Sequence, residues 1–165
     1  MILPLVSVII PTYNSSDTIL NCIQSVISQN YEKIEILVID DGSTDDTFNI
    51  LQNFALNNVK REMQIFTQEN RGPASARNRG IEVANGELVA FLDADDEWYP
   101  DKIREQVDLF MCNKEAVLIS CKYSIGNRML FKQRSSVENI SLKKLLFKNY
   151  FITSTVMCPK SVLMY

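Results

Sequence analysis

Apolar runs alternate with amphipathic stretches along most of the chain, which predicts strands that alternate with helices. Val6 to Pro11 and Ile34 to Ile39 are short, continuous apolar runs rich in β-branched residues, as is typical of buried strands. Between them, apolar residues recur at helical spacing from Ile19 to Ile27. The same criteria predict further strands over Met63–Thr67, Leu88–Leu92, Ala116–Cys121 and Ile152–Met157, and further helices after Ser43, from Pro73, from Pro100 and over residues 140–148.

The predicted strands are apolar at nearly every position rather than at alternate positions. Such strands are typical of a mostly parallel sheet that helices cover on both faces, so the predicted fold class is α/β. No repeat, low-complexity tract or Gly/Ser-rich linker divides the chain. We therefore expect a single domain over residues 1–165, with a less regular end in which residues 124–139 form a loop or a ragged hairpin.

Polar residues and a glycine mark the expected ends of two helices. Ser43 is suited to cap the second helix, with Asp45 and Asp46 in its first turn, where acidic side chains complement the helix dipole. The Asn85-Gly86 pair is expected to end the third helix in the left-handed conformation that these two residue types tolerate.

The composition excludes several classes of site and partner. With 165 residues, of which 46% are hydrophobic, the chain can fill a core without disulfides. It contains no histidine, which excludes Ser-His-Asp and Cys-His catalysis, zinc sites with histidine ligands and histidine general bases. A net charge of −3 argues against a nucleic-acid partner. Any chemistry must therefore depend on carboxylates.

Cysteine spacing, the amino terminus and the distribution of charge bear on where the protein works. The four cysteines form no CxxC pair, so we expect reduced thiols in a cytoplasmic protein. Pro11 and Asn14 interrupt the apolar amino terminus well short of a membrane span. Residues 1–121 carry 9 basic and 19 acidic side chains, whereas residues 122–165 carry 8 and 1. The basic part is either a solvated face or a surface that contacts anionic lipid or a phosphate-bearing acceptor.

Polar residues collect directly after three of the apolar runs. They are the segments Thr12-Tyr13-Asn14, Asp40-Asp41-Gly42-Ser43 and Asp93-Ala94-Asp95-Asp96. In open parallel sheets, ligands bind beyond the carboxyl ends of the strands. If the sheet is parallel, the three segments lie on one rim, which is then the expected binding site.

The acids on this rim repel one another, and a divalent cation would relieve that repulsion. Oxygen ligands favour Mg²⁺ or Mn²⁺ over zinc, and Mg²⁺ is typically held by one or two carboxylates together with substrate phosphates. The sequence contains no GxxxxGK[ST] phosphate loop and no GxGxxG after the first strand. We therefore expect a phosphate ester held through a metal, with its base and sugar bound by Tyr13, Asp41 and their neighbours.

Four segments in order resemble the motifs of family 2 glycosyltransferases with the GT-A fold. They are Val6 to Asn14, Val38 to Asp45, Gly72 to Gly86 with its Ala-Arg-Asn-Arg-Gly stretch, and Phe91 to Asp96. The resemblance is close over residues 5–110 and implies a GT-A-type, Rossmann-like α/β fold. It also implies a nucleotide-diphospho-sugar donor, usually a UDP-sugar, with Mn²⁺ or Mg²⁺ as cofactor.

The resemblance implies a role for five residues at the nucleotide end of the site. Pro11, Thr12 and Tyr13 would line the nucleoside pocket, and the Tyr13 ring would stack on the base. Asp41 would accept a hydrogen bond from the N–H of the base ring. Arg77 would face the nucleotide. Taken alone, Tyr13 could instead cover a strand end, and Asp41 could belong to an Asx turn.

The resemblance places two further acids at the diphosphate and sugar end. Asp93 would bind hydroxyls of the ribose or the sugar, and Asp95 would hold the metal that bridges the diphosphate. Clustered, unpaired acids at a strand end destabilise a fold, which favours a functional role for this pair. Asp45 and Asp46 are interpreted as helix-start charges, and Arg79 as a solvated helix residue.

The resemblance further implies inverting sugar transfer to a saccharide or lipid-linked acceptor. Cell-surface polysaccharide synthesis at the cytoplasmic face of a bacterial plasma membrane is the implied setting. The catalytic base of the family is an acidic residue that follows the last strand. Beyond residue 122 the sequence offers only Glu138, so no residue of this chain is identified as catalytic. We expect a chain truncated before the acceptor segment or, alternatively, a complete protein that binds the donor without turnover.

Two other classes of protein remain open at this point. A phosphatase of the haloacid dehalogenase type also places D-x-D after an apolar strand, with the first Asp as nucleophile. In that class the motif is expected on the first strand, whereas here it follows the fourth. The second class is a binding or scaffolding module without catalysis, which the absence of a matching base keeps open.

Overall fold

The described part of the chain alternates strands and helices much as the hydrophobic pattern predicts. The computed structural model describes residues 3–57, 61–125, 128–129 and 151–164. The elements are β1 (Val6–Thr12), α1 (Ile19–Ile27), β2 (Ile34–Asp40), α2 (Thr47–Asn57), β3 (Glu62–Thr67), α3 (Pro73–Val83), β4 (Leu88–Phe91), α4 (Lys102–Cys112), β5 (Ile119–Ser120), β6 (Ser124–Ile125), β7 (Arg128–Met129), a 3-10 turn (Thr153–Thr155), β8 (Val156–Pro159) and α5 (Lys160–Leu163).

Six of these strands form one mixed sheet in the order β3-β2-β1-β4-β8-β5. β3, β2, β1 and β4 pair in parallel, whereas β8 is antiparallel to both of its neighbours. β5 therefore runs in the same direction as β4. β6 and β7 form a separate antiparallel pair within the stretch predicted as a loop or hairpin. The predicted α/β class with a mostly parallel sheet is confirmed.

Helices cover both faces of the sheet. Alternate residues of each strand point to opposite faces and therefore pack against different helices. Val8 and Ile10 of β1 belong to a core that α1 and α4 complete, whereas Ile9 belongs to a second core on the α3 side. Both faces are apolar, which is why the strands read as continuous hydrophobic runs. The carboxyl ends of β1, β2 and β4 consequently reach the same edge of the sheet.

The start of α2 differs from the prediction that Ser43 caps it. The Ser43 hydroxyl donates to Asp40 Oδ1 at 2.5 Å, and α2 begins four residues later at Thr47. The Thr47 N–H donates to Asp45 Oδ1 at 3.0 Å. Hydrogen bonds from Thr47 lower the pKa of Asp45 to about 2. The Ser43 hydroxyl is therefore bonded to Asp40 and does not cap α2, whereas the Asp45 carboxylate accepts the N–H of the first residue of α2.

The end of α3 also differs, because Gly86 does not adopt a left-handed conformation. Ala84 is already extended, and the N–H groups of Asn85 and Gly86 donate to the buried carboxylate of Glu35 on β2. A Cβ on Gly86 would lie 2.6 Å from the backbone nitrogen of Ser7. Glycine is needed here for a close approach to β1 rather than for a positive φ.

The last two strands of the sheet are displaced from their predicted bounds. β5 is limited to two residues, and β8 begins at Val156 because residues 153–155 form a 3-10 turn. The turn is closed by the N–H of Thr155, which donates to the carbonyl oxygen of Ile152 at 2.9 Å. The helix predicted over residues 140–148 lies outside the described residues.

Two findings concern the setting of the protein. Within the described ranges, no helix is both long and apolar enough to span a bilayer. All four cysteines are free thiols.

Candidate functional site

A cleft of about 550 Å³ opens at the carboxyl ends of β1 and β4. Five of the seven residues that the sequence predicts for the site line it, from the segments after β1 and β4 and from the first turns of α3. They are Pro11, Tyr13, Arg77, Asp93 and Asp95. Parallel strands that end at one edge bring these residues together although more than 60 positions of the chain separate the β1 and β4 segments.

The acid turn, defined as residues 93–96, presents one carboxylate without a partner. Asp93 forms an ion pair with Arg77, with 2.5 Å between Oδ1 and Nη2. Asp96 Oδ2 accepts a hydrogen bond from the Ser154 hydroxyl at 2.5 Å. Asp95 is exposed, and no donor among the described residues contacts its carboxylate. Asp95 is therefore the acid of this turn that is available to a ligand.

Arg77 brings positive charge into this acidic cleft from α3. Its side chain and that of Asp93 are only 24% and 32% exposed, so solvent screens the pair incompletely. Among the described residues, nothing accepts a hydrogen bond from the buried Arg77 Nε. Arg77 is thus partly supplied with partners and retains capacity for a further anionic group.

The cysteine beneath the acid turn reports the negative charge of this end of the cleft. Burial raises the pKa of the Cys22 thiol well above its ordinary value, and the charges of Asp96, Asp93 and Asp95 raise it further. The Cys22 thiol donates to the carbonyl oxygen of Asp93 at 3.6 Å. The three acids thus form one region of negative charge at this end of the cleft.

The opposite wall of the cleft is formed where β1 ends. Pro11 is buried, whereas the Tyr13 side chain is 48% exposed and contributes an aromatic surface. Asn14 follows in the left-handed region, with φ of 47°, a conformation that asparagine adopts more readily than most residues. Its Oδ1 accepts the Thr44 N–H at 2.8 Å, which ties the β1 and β2 ends together.

Asn14 also lines the cleft, beyond the seven site residues that the sequence predicts. Its signal was its place in the polar segment that directly follows β1. Pro73 at the start of α3 and Asp17 before α1 likewise line the cleft. The cleft is therefore lined by residues that follow β1 and β4 and also by residues at or just before the starts of α1 and α3.

Thr12 and Asp41 are the two predicted site residues absent from the described lining of the cleft. Both are 3% exposed. The Asp41 carboxylate accepts hydrogen bonds from the Gln68 side chain and from the N–H groups of Arg71 and Gly72, at 2.6, 3.0 and 2.7 Å. Asp41 thus holds the loop that leads into α3, and its contact with a base stays a prediction.

The Thr12 hydroxyl is buried and has no hydrogen-bond partner among the described residues. The Thr12 carbonyl oxygen, by contrast, accepts the Asp41 N–H at 2.9 Å. A buried hydroxyl without a partner is unusual in a folded protein. It leaves Thr12 with unused hydrogen-bonding capacity next to the predicted nucleoside pocket.

The donor set fits a divalent cation that shares its ligands with a substrate. In the described ranges, no group of three or more acidic, cysteine or histidine side chains is placed to enclose a metal. Asp95 and Asp17 both line the cleft and are exposed, and no donor among the described residues contacts either carboxylate. Mg²⁺ and Mn²⁺ can be held by one or two carboxylates when phosphate oxygens complete their coordination. The residues therefore fit a cation bound together with a diphosphate and do not fit a cage made only of protein ligands.

Comparison with known families gives this geometry its context. Residues 7–165 match the family described as Glycosyl transferase family 2. The chain belongs to glycosyl transferase family 2. This assignment displaces the phosphatase alternative, because the matched family is one of glycosyl transferases.

Relatives of this glycosyl transferase family 2 chain include longer bacterial enzymes. An uncharacterized glycosyltransferase of Haemophilus influenzae is 37% identical over 164 residues, which cover 97% of this chain and 64% of the relative. WfaP of Escherichia coli, named as a UDP-Glc:alpha-D-GlcNAc-diphosphoundecaprenol beta-1,3-glucosyltransferase, is 42% identical over 67% of this chain and 43% of its own length. The matches thus cover between 43% and 64% of the relatives' own length.

Two solved structures share the fold. S. aureus TarS 1-349 in complex with UDP superimposes with a TM-score of 0.75 at 26% identity, covering 96% of this chain and 48% of TarS. The mannosyltransferase PcManGT from Pyrobaculum calidifontis, in complex with GDP-Man and Mn²⁺, gives a TM-score of 0.71 at 30% identity, covering 75% and 37%. The predicted GT-A-type fold of this family 2 chain is confirmed.

Proposed function

We propose that the cleft binds a nucleotide-diphospho-sugar, preferably a UDP-sugar, together with Mn²⁺ or Mg²⁺. The observation that carries this proposal is the exposed Asp95 carboxylate, which has no donor among the described residues and lies in one cleft with the Arg77–Asp93 pair and Tyr13. A cation, an anionic diphosphate and an aromatic base match these three features in turn. The nucleotides named in the TarS and PcManGT structures, UDP and GDP-Man, belong to the same class.

Each residue of the cleft has a distinct part in binding the donor. Tyr13 offers an exposed ring on which the base stacks, and Pro11 forms the floor beside it. Arg77 supplies positive charge for the diphosphate, while Asp93 accepts hydrogen bonds from ribose or sugar hydroxyls. Asp95 holds the cation. Bound Mn²⁺ or Mg²⁺ supplies Lewis-acid stabilisation of the charge on the departing diphosphate.

The protein that contains this chain is proposed to transfer the sugar, with inversion, to a saccharide or lipid-linked acceptor. The diphosphoundecaprenol acceptor in the name of WfaP supports a lipid-linked acceptor of this kind. Cell-surface polysaccharide synthesis at the cytoplasmic face of the membrane follows as the proposed setting. The basic residues 122–165 would then face anionic lipid. The base that deprotonates the acceptor is not assigned to any residue of this chain.

Isothermal titration calorimetry with UDP tests the donor site. Wild-type protein is expected to bind UDP in Mn²⁺ and to lose most of this affinity in EDTA. Asp95→Ala should raise the Kd measured in Mn²⁺ by more than the roughly tenfold that removal of an outer-shell partner costs. The matched control is Glu97→Ala, an exposed acid two positions away, which should bind as wild type.

Two outcomes would contradict the proposal. Equal UDP affinity of wild type in Mn²⁺ and in EDTA would show that UDP binding does not depend on a metal. Equal UDP affinity of Asp95→Ala and wild type in Mn²⁺ would show that Asp95 takes no part in binding the donor. Formation of glycosylated acceptor, with release of UDP from the UDP-sugar, would separate a transferase from a protein that only binds the donor.

A further inference from the structure

Ser154 joins the 3-10 turn before β8 to the acid turn through two hydrogen bonds of one hydroxyl. The N–H of Asp93 donates to Ser154 Oγ at 3.0 Å, and Ser154 Oγ donates to Asp96 Oδ2 at 2.5 Å. The Ser154 carbonyl oxygen accepts the indole N–H of Trp98 at 2.7 Å. Ser154 is 6% exposed, so water competes little for these bonds.

The Ser154 hydroxyl forms a hydrogen bond with the carboxylate of Asp96 but not with that of its neighbour Asp95. Its single proton is given to Asp96, and this bond gives the Asp96 carboxylate a partner within the protein. The turn is closed by the Asp96 N–H, which donates to the Asp93 carbonyl oxygen at 3.0 Å. Asp95, between these two anchored residues, keeps its carboxylate in the cleft.

The segment that carries Ser154 is itself anchored to the core. The carbonyl oxygen of Thr155 accepts a hydrogen bond from the buried Gln106 side chain of α4 at 2.9 Å. The Thr155 hydroxyl meets that of Ser120 on β5 at 2.7 Å. Ser154 therefore contacts the acid turn from a fixed support rather than from a freely moving loop.

We propose that Ser154 is a positioning residue for the divalent cation of the donor site. It holds the acid turn so that Asp95 faces the cation and Asp96 is withheld from it. The inference rests on the proposed function of the cleft. It concerns a residue 61 positions away from Asp93 in the chain, to which neither the sequence motifs nor the resemblance assigns a role.

UDP titrations of Ser154→Ala in Mn²⁺ and in EDTA test this role. We expect the Kd in Mn²⁺ to rise about tenfold, as for loss of an outer-shell partner of a metal ligand. The Kd in EDTA should stay within about twofold, since the nucleoside contacts are untouched. Ser154→Thr, which keeps a hydroxyl, should restore most of the affinity in Mn²⁺. The matched control is Ser161→Ala, at an exposed serine of α5 whose side chain forms no hydrogen bond with the acid turn.

A double-mutant cycle with Asp96→Ala examines the hydrogen bond from its other end. Because both changes break the same bond, their effects on the Kd in Mn²⁺ should not add. If Ser154→Ala does not fold, Asp96→Ala alone should show the same loss confined to Mn²⁺. Circular dichroism melting identifies the folded variants.

The inference is overturned if Ser154→Ala binds UDP in Mn²⁺ as tightly as wild type. It is also overturned if the Kd rises equally in Mn²⁺ and EDTA, because a general structural role would act on both. A wild-type protein that binds UDP equally in both conditions overturns the proposed function and this inference together. The two failures are therefore told apart by whether wild type or only the variant deviates.

Discussion

Carboxylates at the two ends of the parallel strands have opposite surroundings. At the amino ends, Glu35 is 2% exposed and accepts hydrogen bonds from the Ser7 hydroxyl, the backbone and side-chain N–H groups of Asn85, and the N–H of Gly86. At the carboxyl ends, Asp95 is exposed and has no donor among the described residues. The same chemical group thus serves structure at one edge and is left available at the other.

A carboxylate that belongs to a ligand site can be recognised by its lack of hydrogen-bond donors within the protein. Burial raises the pKa of Glu35, but the hydrogen bonds from Ser7, Asn85 and Gly86 outweigh it, so the pKa lies below its ordinary value. A carboxylate stabilised in this way has little capacity left for a cation. A carboxylate without donors in an acidic cleft gains most from one.

The largest effect is expected when the structural carboxylate is removed. Glu35→Ala leaves several donors at the β1–β2–β4 edge without an acceptor, and each buried unsatisfied group costs about 1–3 kcal/mol. We expect the free energy of unfolding to fall by about 4 kcal/mol in urea titrations followed by circular dichroism. Glu62→Ala is the matched control, because Glu62 is the register partner of Glu35 on β3 and is exposed. Similar losses in both variants would contradict the distinction between the two ends.

Lys102 extends the contrast to a buried amino group that has no hydrogen-bonding partner within the described part of the chain. Its ammonium lies 3.6 Å from the centre of the Trp98 ring, and no described residue accepts a hydrogen bond from it. Burial lowers the pKa of Lys102 from 10.5 to about 7, although the nearby Cys121 acts in the opposite direction. Between these pH values the unfolded chain binds more protons than the folded one, so stability rises with pH.

Lys102→Met should remove this contribution to the pH dependence. We expect the difference in free energy of unfolding, wild type minus variant, to increase by about 3 kcal/mol from pH 7 to pH 10. Urea titrations of both proteins across that range provide the measurement, and the difference cancels the titration of other groups. Parallel pH profiles would show that the Lys102 ammonium is not destabilised by burial.

Asp41 is an intermediate case, since it lies near the cleft yet its carboxylate is occupied. Asp41→Asn replaces one acceptor oxygen with an NH₂ group, which cannot accept the hydrogen bonds that this oxygen received, either those from Gln68 and Arg71 or that from Gly72. We expect a loss of about 2 kcal/mol in the free energy of unfolding. Asp46→Asn, at an exposed acid before α2, should change it by less than about 0.5 kcal/mol. Full stability of Asp41→Asn would show that the loop before α3 is held by other contacts.

The convergence of Tyr13, Asp93 and Asp95 could be predicted from the sequence, because parallel strands end at one edge and polar residues directly follow them. The hydrogen bonds that each carboxylate receives could not be predicted from the sequence. The donors to Asp41 come from a loop whose path no periodicity encodes, and Ser154 reaches the acid turn only through the tertiary fold. The sequence does not single out Glu35 either, since a single acid inside an apolar run does not disturb the strand pattern.

The smallest effect on the unliganded protein is expected at Asp95 itself. Asp95→Asn removes no hydrogen bond among the described residues, so its free energy of unfolding should stay within about 0.5 kcal/mol of wild type. With Mn²⁺ and UDP at about 100 times the Kd, wild type should gain about 2.7 kcal/mol by mass action, and the variant should gain little. Thermal melts with and without both ligands measure this, with Glu97→Gln as control. A variant that loses stability without ligand would make Asp95 a structural acid like Glu35, and the contrast between the two edges would disappear.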